Sequence, residues 1–332
     1  MGHGDAPVTV IDVAREAGVS PITVSRAVNR PELVSEATRL RVLEVVRAMG
    51  YVPNLVAGSL ASSKSKLVAI LLPTIANSIF ATAVQAIMDR LTEAGYQALL
   101  GPTGYSPEKE ELLLEAILGR RPDGIVLTGT LHTEGSRARL AAAGIPVVET
   151  WDLSDNALDM QVGFSHEKVG QLVADRFVEK GYTRFAVISV DDPRAIRRCN
   201  SLIAQLAYHG LHDVPVVVLP LPATWEVGRE GLKQLLLSPT LPQLVFCSSD
   251  TVAMGVLAQA AELGLKIPED LAVLGFGDTT NSRFAQPALS TISVNSAQMG
   301  REAAQALLQR FAGNTPVLQV DSGFSLIERA ST

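Results

Sequence analysis

The chain has 332 residues, 47% hydrophobic and 19% charged, a balance that builds two or three globular domains and excludes a disordered or fibrous chain. No signal-peptide pattern opens it and no apolar run is long enough to span a bilayer, so the expected setting is the cytoplasm, with no membrane partner. Cys199 and Cys247 have neither CxxC nor zinc-finger spacing, which points to buried thiols, no metal site and no cofactor.

The net charge of −6 is unevenly spread. Residues 1–66 hold eight Lys/Arg against six Asp/Glu (+2), leaving 20 basic and 28 acidic residues (−8) in the remainder. Charges beyond about 8–10 Å are screened at physiological salt, so a mildly basic head can hold a polyanion while an acidic body supplies solubility.

The opening "MGHGDAP" reads as a lead-in outside the fold, and the first element starts at Thr9. Thr9 is an N-cap, and Asp12 completes a capping-box pattern. Val10, Val13, Ala14 and Ala17 then share one helical face. After the turn Gly18-Val19-Ser20, Ser20 caps a second helix with Pro21 at its first position, where the missing N–H costs nothing. Val24, Ala27 and Val28 point inward, leaving Pro21, Ile22, Thr23, Ser25, Arg26 and Asn29 outside. A third helix, capped by Ser35, is expected to pack through Ala37, Leu40, Leu43 and Val46 until Gly50.

Two short helices joined by a Gly-containing turn form a helix-turn-helix. Its second helix offers hydroxyls and an amide for phosphates and Arg26 for a base edge, which suits a major-groove reader. By spacing alone, a three-helix bundle with a polar outer face fits as well. Beyond it, Val56 and Leu60 lie at i, i+4 on a Gly-weakened segment too short to be helical alone, followed by a Ser/Lys linker.

The pattern "DVAREAGVSPITVSRAVN…VS…TR…V…GYVPN…A", from Val8 to about Leu60, resembles the head of the LacI/GalR family of bacterial transcription regulators. The resemblance implies a head over 8–52 and, over 53–66, a hinge helix and linker that order on operator DNA. It implies that Leu60 is a minor-groove wedge, and Thr9, Asn54 and Ala57 join the expected DNA-facing set. The implied partner is pseudo-palindromic double-stranded operator DNA bound by a homodimer, a tetramer remaining open. Pro21 and Ile22 favour apolar contacts such as thymine methyls, leaving Arg26 as the main hydrogen-bonding reader.

From Leu67 onward, apolar runs such as "KLVAILLP", "DGIVLTG", "RFAVISV" and "LAVLGFG" alternate with helical stretches near 79–94, 107–118 and 135–143 and one ending at Lys180. This is a parallel α/β pattern, with enough strands for two sheets. Ligands in such folds bind at the carboxyl ends of strands. The resemblance continues through "SSDTVAMGVLAQAAELGLKIPEDLAVLGFGD" and "PALSTISVNSAQMGREAAQALL". It implies a periplasmic-binding-protein-like core over 67–332, built of two Rossmann-like lobes. Lobe 1 would comprise about 67–163 and 295–316, and lobe 2 about 164–293 and 317–332, with crossings near Phe164, Val294 and Val317. Stretches such as "VAILLPTIANSIFATAVQAI" and "GYQALLGPTGYSPEKEE" look closest to the gluconate-operon repressor branch.

Carrying the family's effector contacts over implies Pro73, Asn77, Phe80, Trp151, Asp152, Phe164, Arg197, Ser249, Asp250 and Asp278 as the pocket. Arg197 stands three places before Asn200, where the family usually has RxxG, and Arg194 and Arg198 lie beside it. Gly277 sits where sugar-binding relatives often carry an aspartate. Keeping an arginine while losing an acid favours an anionic effector, a sugar acid such as gluconate. Alternatively, Arg197 pairs with Asp152 or Asp278 as a bridge between the lobes.

Catalysis finds little support. There is no Walker lysine motif, GxGxxG setting or GxSxG elbow, and His132, His166, His209 and His212 lack zinc-site spacing. His209 and His212 are expected to be solvated, "EKEEL" at 108–112 to be an exposed helix face, and Asp191-Asp192 to lie in a loop. The expected function is a transcriptional repressor of a sugar-acid catabolism operon. A sugar-binding module without regulatory role, or an α/β enzyme, is the alternative.

Overall fold

The computed structural model describes residues 8–52, 64–238 and 240–332, in two compact units divided between Ser65 and Lys66. The hinge positions Asn54, Ala57 and Leu60 lie outside the described residues.

In the head, α1 (Val10–Ala17), α2 (Pro21–Asn29) and α3 (Glu36–Ala48) begin at side-chain caps from Thr9, Ser20 and Ser35. Both arms of the Thr9–Asp12 capping box are made, and Gly18 ends α1 at φ +63°, the left-handed region glycine enters without strain. Val13, Ala14, Ala17, Val24, Ala27 and Val42 form the core. The inward face of α3 differs from expectation. Val42 is fully buried with Val45, Val46 and Met49 against it, whereas Leu40 is 59% exposed and Ala37 is exposed. The helix carries two apolar stripes, and packing against α1 and α2 selects the one through Val42.

Among the described residues, the core holds two six-stranded sheets. The first contains β1 (Leu67–Leu72), β2 (Gln97–Pro102), β3 (Gly124–Thr128), β4 (Val147–Thr150), β5 (Met160–Gly163) and β11 (Gln319–Asp321), in the order β2-β1-β3-β4-β5-β11. The helices of this lobe are α4 (Ser78–Glu93), α5 (Pro107–Leu118), α6 (Glu134–Ala143) and α11 (Ser296–Phe311). The second contains β6 (Phe185–Val190), β7 (Val216–Leu219), β8 (Leu244–Cys247), β9 (Ala272–Phe276), β10 (Ser290–Ser293) and β12 (Ser325–Ile327), in the order β7-β6-β8-β9-β10-β12. With it go α7 (His166–Glu179), α8 (Pro193–Tyr208), α9 (Trp225–Leu235) and α10 (Asp250–Glu262).

Every pairing is parallel except β10 with β12. Strands such as β1 and β6 are buried nearly end to end, because helices cover both faces of a parallel sheet and a continuous apolar run is what such a position needs. The edge strands β2 and β7 show mixed exposure. The chain passes between the sheets at 164–165, 294–295 and 322–324. The crossing expected near Val317 therefore comes later, since Gln319–Asp321 first pairs in parallel with β5. Phe164 at the first crossing packs on Phe324 at the third, ring centroids 6.2 Å apart. No described helix is long and apolar enough to cross a membrane.

Candidate functional site

In the head, α2 presents the candidate reading face. Ser20 Oγ accepts from the Thr23 N–H at 3.2 Å, satisfying one of the orphan donors of the first turn. Val24 and Ala27 are anchored in the core, which turns Pro21, Ile22, Ser25 and Arg26 outward; Thr23 is half-buried. Ile22 is 64% exposed, a large apolar side chain with no structural use in the head. Arg26 makes no ion pair with any described residue, and α2 contains no acid, so its outer face is positive. Thr9 is engaged, its hydroxyl donating to Asp12 Oδ2 at 2.6 Å. Asn29 is the last residue of α2.

The core has a cleft between its lobes, about 480 Å³ including its open mouth, within the range of small-molecule sites. Lobe 1 contributes Asn77, Ile79 and Phe80 around the start of α4, Tyr105 beyond β2 and Trp151 beyond β4. Phe164 and His166 come from the first crossing. Lobe 2 contributes Val190, Asp192, Arg194, Ala195, Arg198, Ala223, Ser248, Ser249 and Phe276. Nearly all follow carboxyl ends of strands, as open parallel sheets dictate. Tyr105 and Trp151 take left-handed backbone at φ +64° and +71°, strain that surrounding structure must hold and that concentrates at binding sites.

Arg194 and Arg198 stand one helical turn apart on α8 and supply the charge. Arg194 donates to Asp192 through Nε at 3.2 Å and Nη2 at 2.9 Å, and lies 5.5 Å from the Phe80 ring centre. Arg198 donates through Nη1 to His166 Nδ1 at 3.0 Å and through Nη2 to the Ser248 carbonyl at 2.9 Å, its guanidinium 3.8 Å over the Phe276 ring. Arg194 Nη1 and Arg198 Nε are buried without a hydrogen-bond partner among the described residues. Arginine can only donate, so His166 Nδ1 is the acceptor, and its Nε2–H donates to the Trp151 carbonyl at 2.9 Å. Burial first, then the charges of Arg198, Arg194 and Arg197, hold His166 well below the usual histidine range, so the ring is neutral.

Burial pushes Arg198 down to about 10, still cationic at neutral pH, and pushes the Tyr105 phenol up to about 12 with help from Asp192. For Asp192, burial opposes ionisation, but Arg194 outweighs it and holds the carboxyl below its ordinary value. Among the described lining residues, two guanidinium groups therefore face one carboxylate.

Five of the ten sequence-derived pocket residues line this cleft: Asn77, Phe80, Trp151, Phe164 and Ser249. Pro73 does not; its carbonyl accepts from Gly104 N at 3.0 Å. Arg197 does not either. A step of about 100° around α8 turns it from Arg198 toward Asp152 Oδ2 (2.6 Å) and Glu167 Oε1 (2.6 Å), so it bridges the lobes instead. Asp152 is 1% exposed and also accepts from Thr130 Oγ1 at 2.9 Å. The arginine-then-small-residue spacing is met one place later, by Arg198 and Ser201. A Cβ on Gly170 of α7 would come 2.5 Å from the Arg198 carbonyl and 2.9 Å from Ser201 Cβ, so α7 and α8 meet there. Asp250 is taken up by Thr279 N at 2.7 Å, Thr291 Oγ1 at 2.6 Å and the Ser282 hydroxyl, and Asp278 by Arg329 at 2.6 Å. The signal for Arg194 and Arg198 was present in the sequence as an i, i+4 pair beginning a helix after a strand.

One further expectation changes and two hold. Within "EKEEL", Glu110 is buried and pairs with His132 Nδ1 at 2.6 Å, while Glu111 pairs with Arg139 and accepts from Thr133 Oγ1 at 2.6 Å. His132 Nε2 lies 3.2 Å from Glu149 Oε1; burial disfavours its charge, but hydrogen bonds to both glutamates prevail and raise it to about 9. His209 is exposed, as expected, with Asp175 2.6 Å away. Asp191 and Asp192 lie in the loop before α8, as expected, and Asp192 is the N-cap of that helix. Among the described residues, no group of three or more His, Cys, Asp or Glu side chains is arranged to hold a metal ion.

Residues 9–54 match the family model of bacterial regulatory proteins of the lacI family, and residues 174–332 match that of the periplasmic binding protein-like domain. The HTH-type transcriptional regulator GntR of Pseudomonas aeruginosa is 38% identical over 327 residues, covering 98% of this chain and 95% of that protein. A LacI-family transcriptional regulator from Silicibacter pomeroyi superposes with a TM-score of 0.91 at 32% identity, covering 98% of this chain and 99% of that one. The lac repressor dimer bound to operator and the anti-inducer ONPF superposes with a TM-score of 0.84 at 26% identity, over 98% and 99% of the two chains. These proteins are transcriptional regulators, not enzymes.

Proposed function

This chain belongs to the LacI family and is a DNA-binding transcriptional regulator; from that premise we propose that its core cleft senses a sugar acid such as gluconate. The observation that carries the reading is the pair of buried, unpartnered donors, Arg194 Nη1 and Arg198 Nε. Leaving a buried donor unmade costs about 1–3 kcal/mol, and a ligand carboxylate removes that penalty. Guanidinium groups suit a carboxylate because their planar forks match its two oxygens. Phe80 and Trp151, in edge-to-face contact with centroids 5.0 Å apart, offer an apolar wall to the carbon chain, and Asn77 and Ser249 offer polar contacts to its hydroxyls.

The protein acts as a cytoplasmic homodimeric repressor of a sugar-acid catabolism operon, its heads reading two half-sites through the α2 face. Pro21, Ile22, Thr23, Ser25, Arg26 and Asn29 form that face, with Asn54, Ala57 and the Leu60 wedge contributed by the hinge. Effector binding changes lobe closure and lowers operator affinity, a coupling of typically 1–3 kcal/mol.

Calorimetric titration tests the sensor: gluconate binds and glucose, its neutral counterpart, does not. Binding of glucose with no response to gluconate overturns the sugar-acid reading. A gel shift on the promoter of the chain's own operon tests the regulator, with a retarded band that weakens steeply as salt rises and is released by the sugar acid.

A further inference from the structure

Two acids stand beside the cleft at the carboxyl ends of β8 and β9, and both are drawn away from it. Asp250, 1% exposed, is satisfied by three hydrogen bonds from the 279–291 segment. Asp278 depends on one cation. It lies two residues beyond Phe276, the ring under the Arg198 guanidinium, with left-handed backbone at φ +49° and its N–H 3.3 Å from Thr291 Oγ1. Arg329, in the segment after β12, donates Nη2 to Asp278 Oδ1 at 2.6 Å and Nη1 to the Leu289 carbonyl at 2.7 Å. Its own N–H donates to Ser290 Oγ at 2.8 Å, so Arg329 is fixed at both ends of its side chain. Asp278 and Arg329 each have only 15% of their side chains exposed. Between Phe276 and Asp278, a Cβ on Gly277 would come 3.1 Å from Ile79 Cγ2, so an apolar side chain of the facing lobe closes this rim.

We propose that Arg329 is a positioning residue that sets the charge selectivity of the cleft, by holding the Asp278 carboxylate off the anion seat made by Arg194 and Arg198. The proposal rests on the sugar-acid reading above. Without Arg329, Asp278 is a nearly buried carboxylate with no cation of its own, two residues from the Phe276 ring under Arg198, whose Nε is, like Arg194 Nη1, an unused donor among the described residues. It then competes for those donors and repels a ligand carboxylate, while a neutral sugar feels neither effect. The sequence-derived role of Asp278, a direct effector contact, makes the opposite prediction for its removal.

The test is calorimetric titration of the full chain with gluconate and with glucose, in wild type, Asp278→Asn, Arg329→Gln and the double variant, each checked by thermal melting. Asp278→Asn should keep gluconate affinity within about threefold, Arg329→Gln should lose roughly tenfold or more, and the double variant should recover to the level of Asp278→Asn. Recovery separates positioning from a merely structural role when Arg329→Gln melts as the wild type does, because an unpaired Asp278 that loosened the fold would also be relieved by Asp278→Asn but would lower the melting temperature first. A double variant as weak as Arg329→Gln overturns the proposal, as does an Asp278→Asn protein that no longer binds gluconate. Should Arg329→Gln fail to fold, Asp278→Asn alone decides between positioning and direct contact. A folded wild type that ignores gluconate overturns the sugar-acid reading itself, and this inference with it.

Discussion

Two histidines are buried in the core, and they sit in opposite electrostatic surroundings. His132 lies between Glu110 and Glu149 in lobe 1 and is raised to about 9. His166, at the first crossing, receives a hydrogen bond from Arg198, with Arg194 and Arg197 close enough to press its pKa down, and is held well below the histidine range. Burial is common to both and by itself neutralises either ring; the sign of the partners decides the outcome. His132 is thereby a cation that ties α5, the loop after β3 and β4 together. His166 is a neutral link from Arg198 to the Trp151 carbonyl that leaves the arginine's charge unspent for the cleft.

Removing His132 is the harshest way to break this contrast. In His132→Leu, two buried glutamates face each other without the ring between them, which costs about 3–5 kcal/mol by analogy with breaking other buried pairs. Denaturant unfolding of the wild type and variant measures it. A loss below about 1 kcal/mol would show that the cluster is not an ion network.

Next in size comes the pH dependence, where the two rings should pull in opposite directions. His132 has a folded pKa of about 9 against 6.5 for the free side chain, so its contribution is complete below pH 6.5 and is lost as pH rises to about 9. By linkage the contribution is about 3 kcal/mol. His166 has a folded pKa below 6.5, so its contribution is present above that pH and is lost as pH falls. His132→Gln should flatten the alkaline side of the stability profile and leave the acid side alone. Nitrogen-15 NMR should find His166 protonated only at Nε2 from pH 8 down to 6; a titrating ring there would refute the neutral assignment.

Neither histidine cluster was legible as such in the sequence, because each joins residues from different elements: His132 is 22 positions from Glu110 and 17 from Glu149. "EKEEL" has the look of a solvated helix face until a distant ring is brought to Glu110. Local signals read well for the opposite reason. The caps at Thr9, Ser20 and Ser35 and the helices near 79–94, 107–118 and 135–143 depend on neighbours within a turn or two. The long buried strands of both sheets were equally visible, since an apolar run between helices has few other uses. Short elements failed: residues 319–321 make a three-residue strand whose sheet is set only by pairing with β5. On α8, an error of one residue amounts to a rotation of about 100°, enough to exchange a cleft residue for a bridge between lobes.

That rotation supplies the finest test of the comparison, because Arg197 and Arg198 are sequence neighbours with their charges spent differently. Arg197 is committed to Asp152 and Glu167, whereas Arg198 faces a neutral imidazole, a carbonyl and an aromatic ring, with Nε unpartnered. Arg198→Met should weaken gluconate binding by roughly a hundredfold, about 2.7 kcal/mol. Arg197→Met should weaken it by less than tenfold, under about 1.4 kcal/mol, because Asp152 keeps the Thr130 hydroxyl and the Leu153 N–H as donors. Titration of both variants under one set of conditions makes the comparison direct. If Arg197→Met is the more damaging, closure through the Asp152 bridge, rather than the charge left unspent beside His166, governs what the cleft can hold.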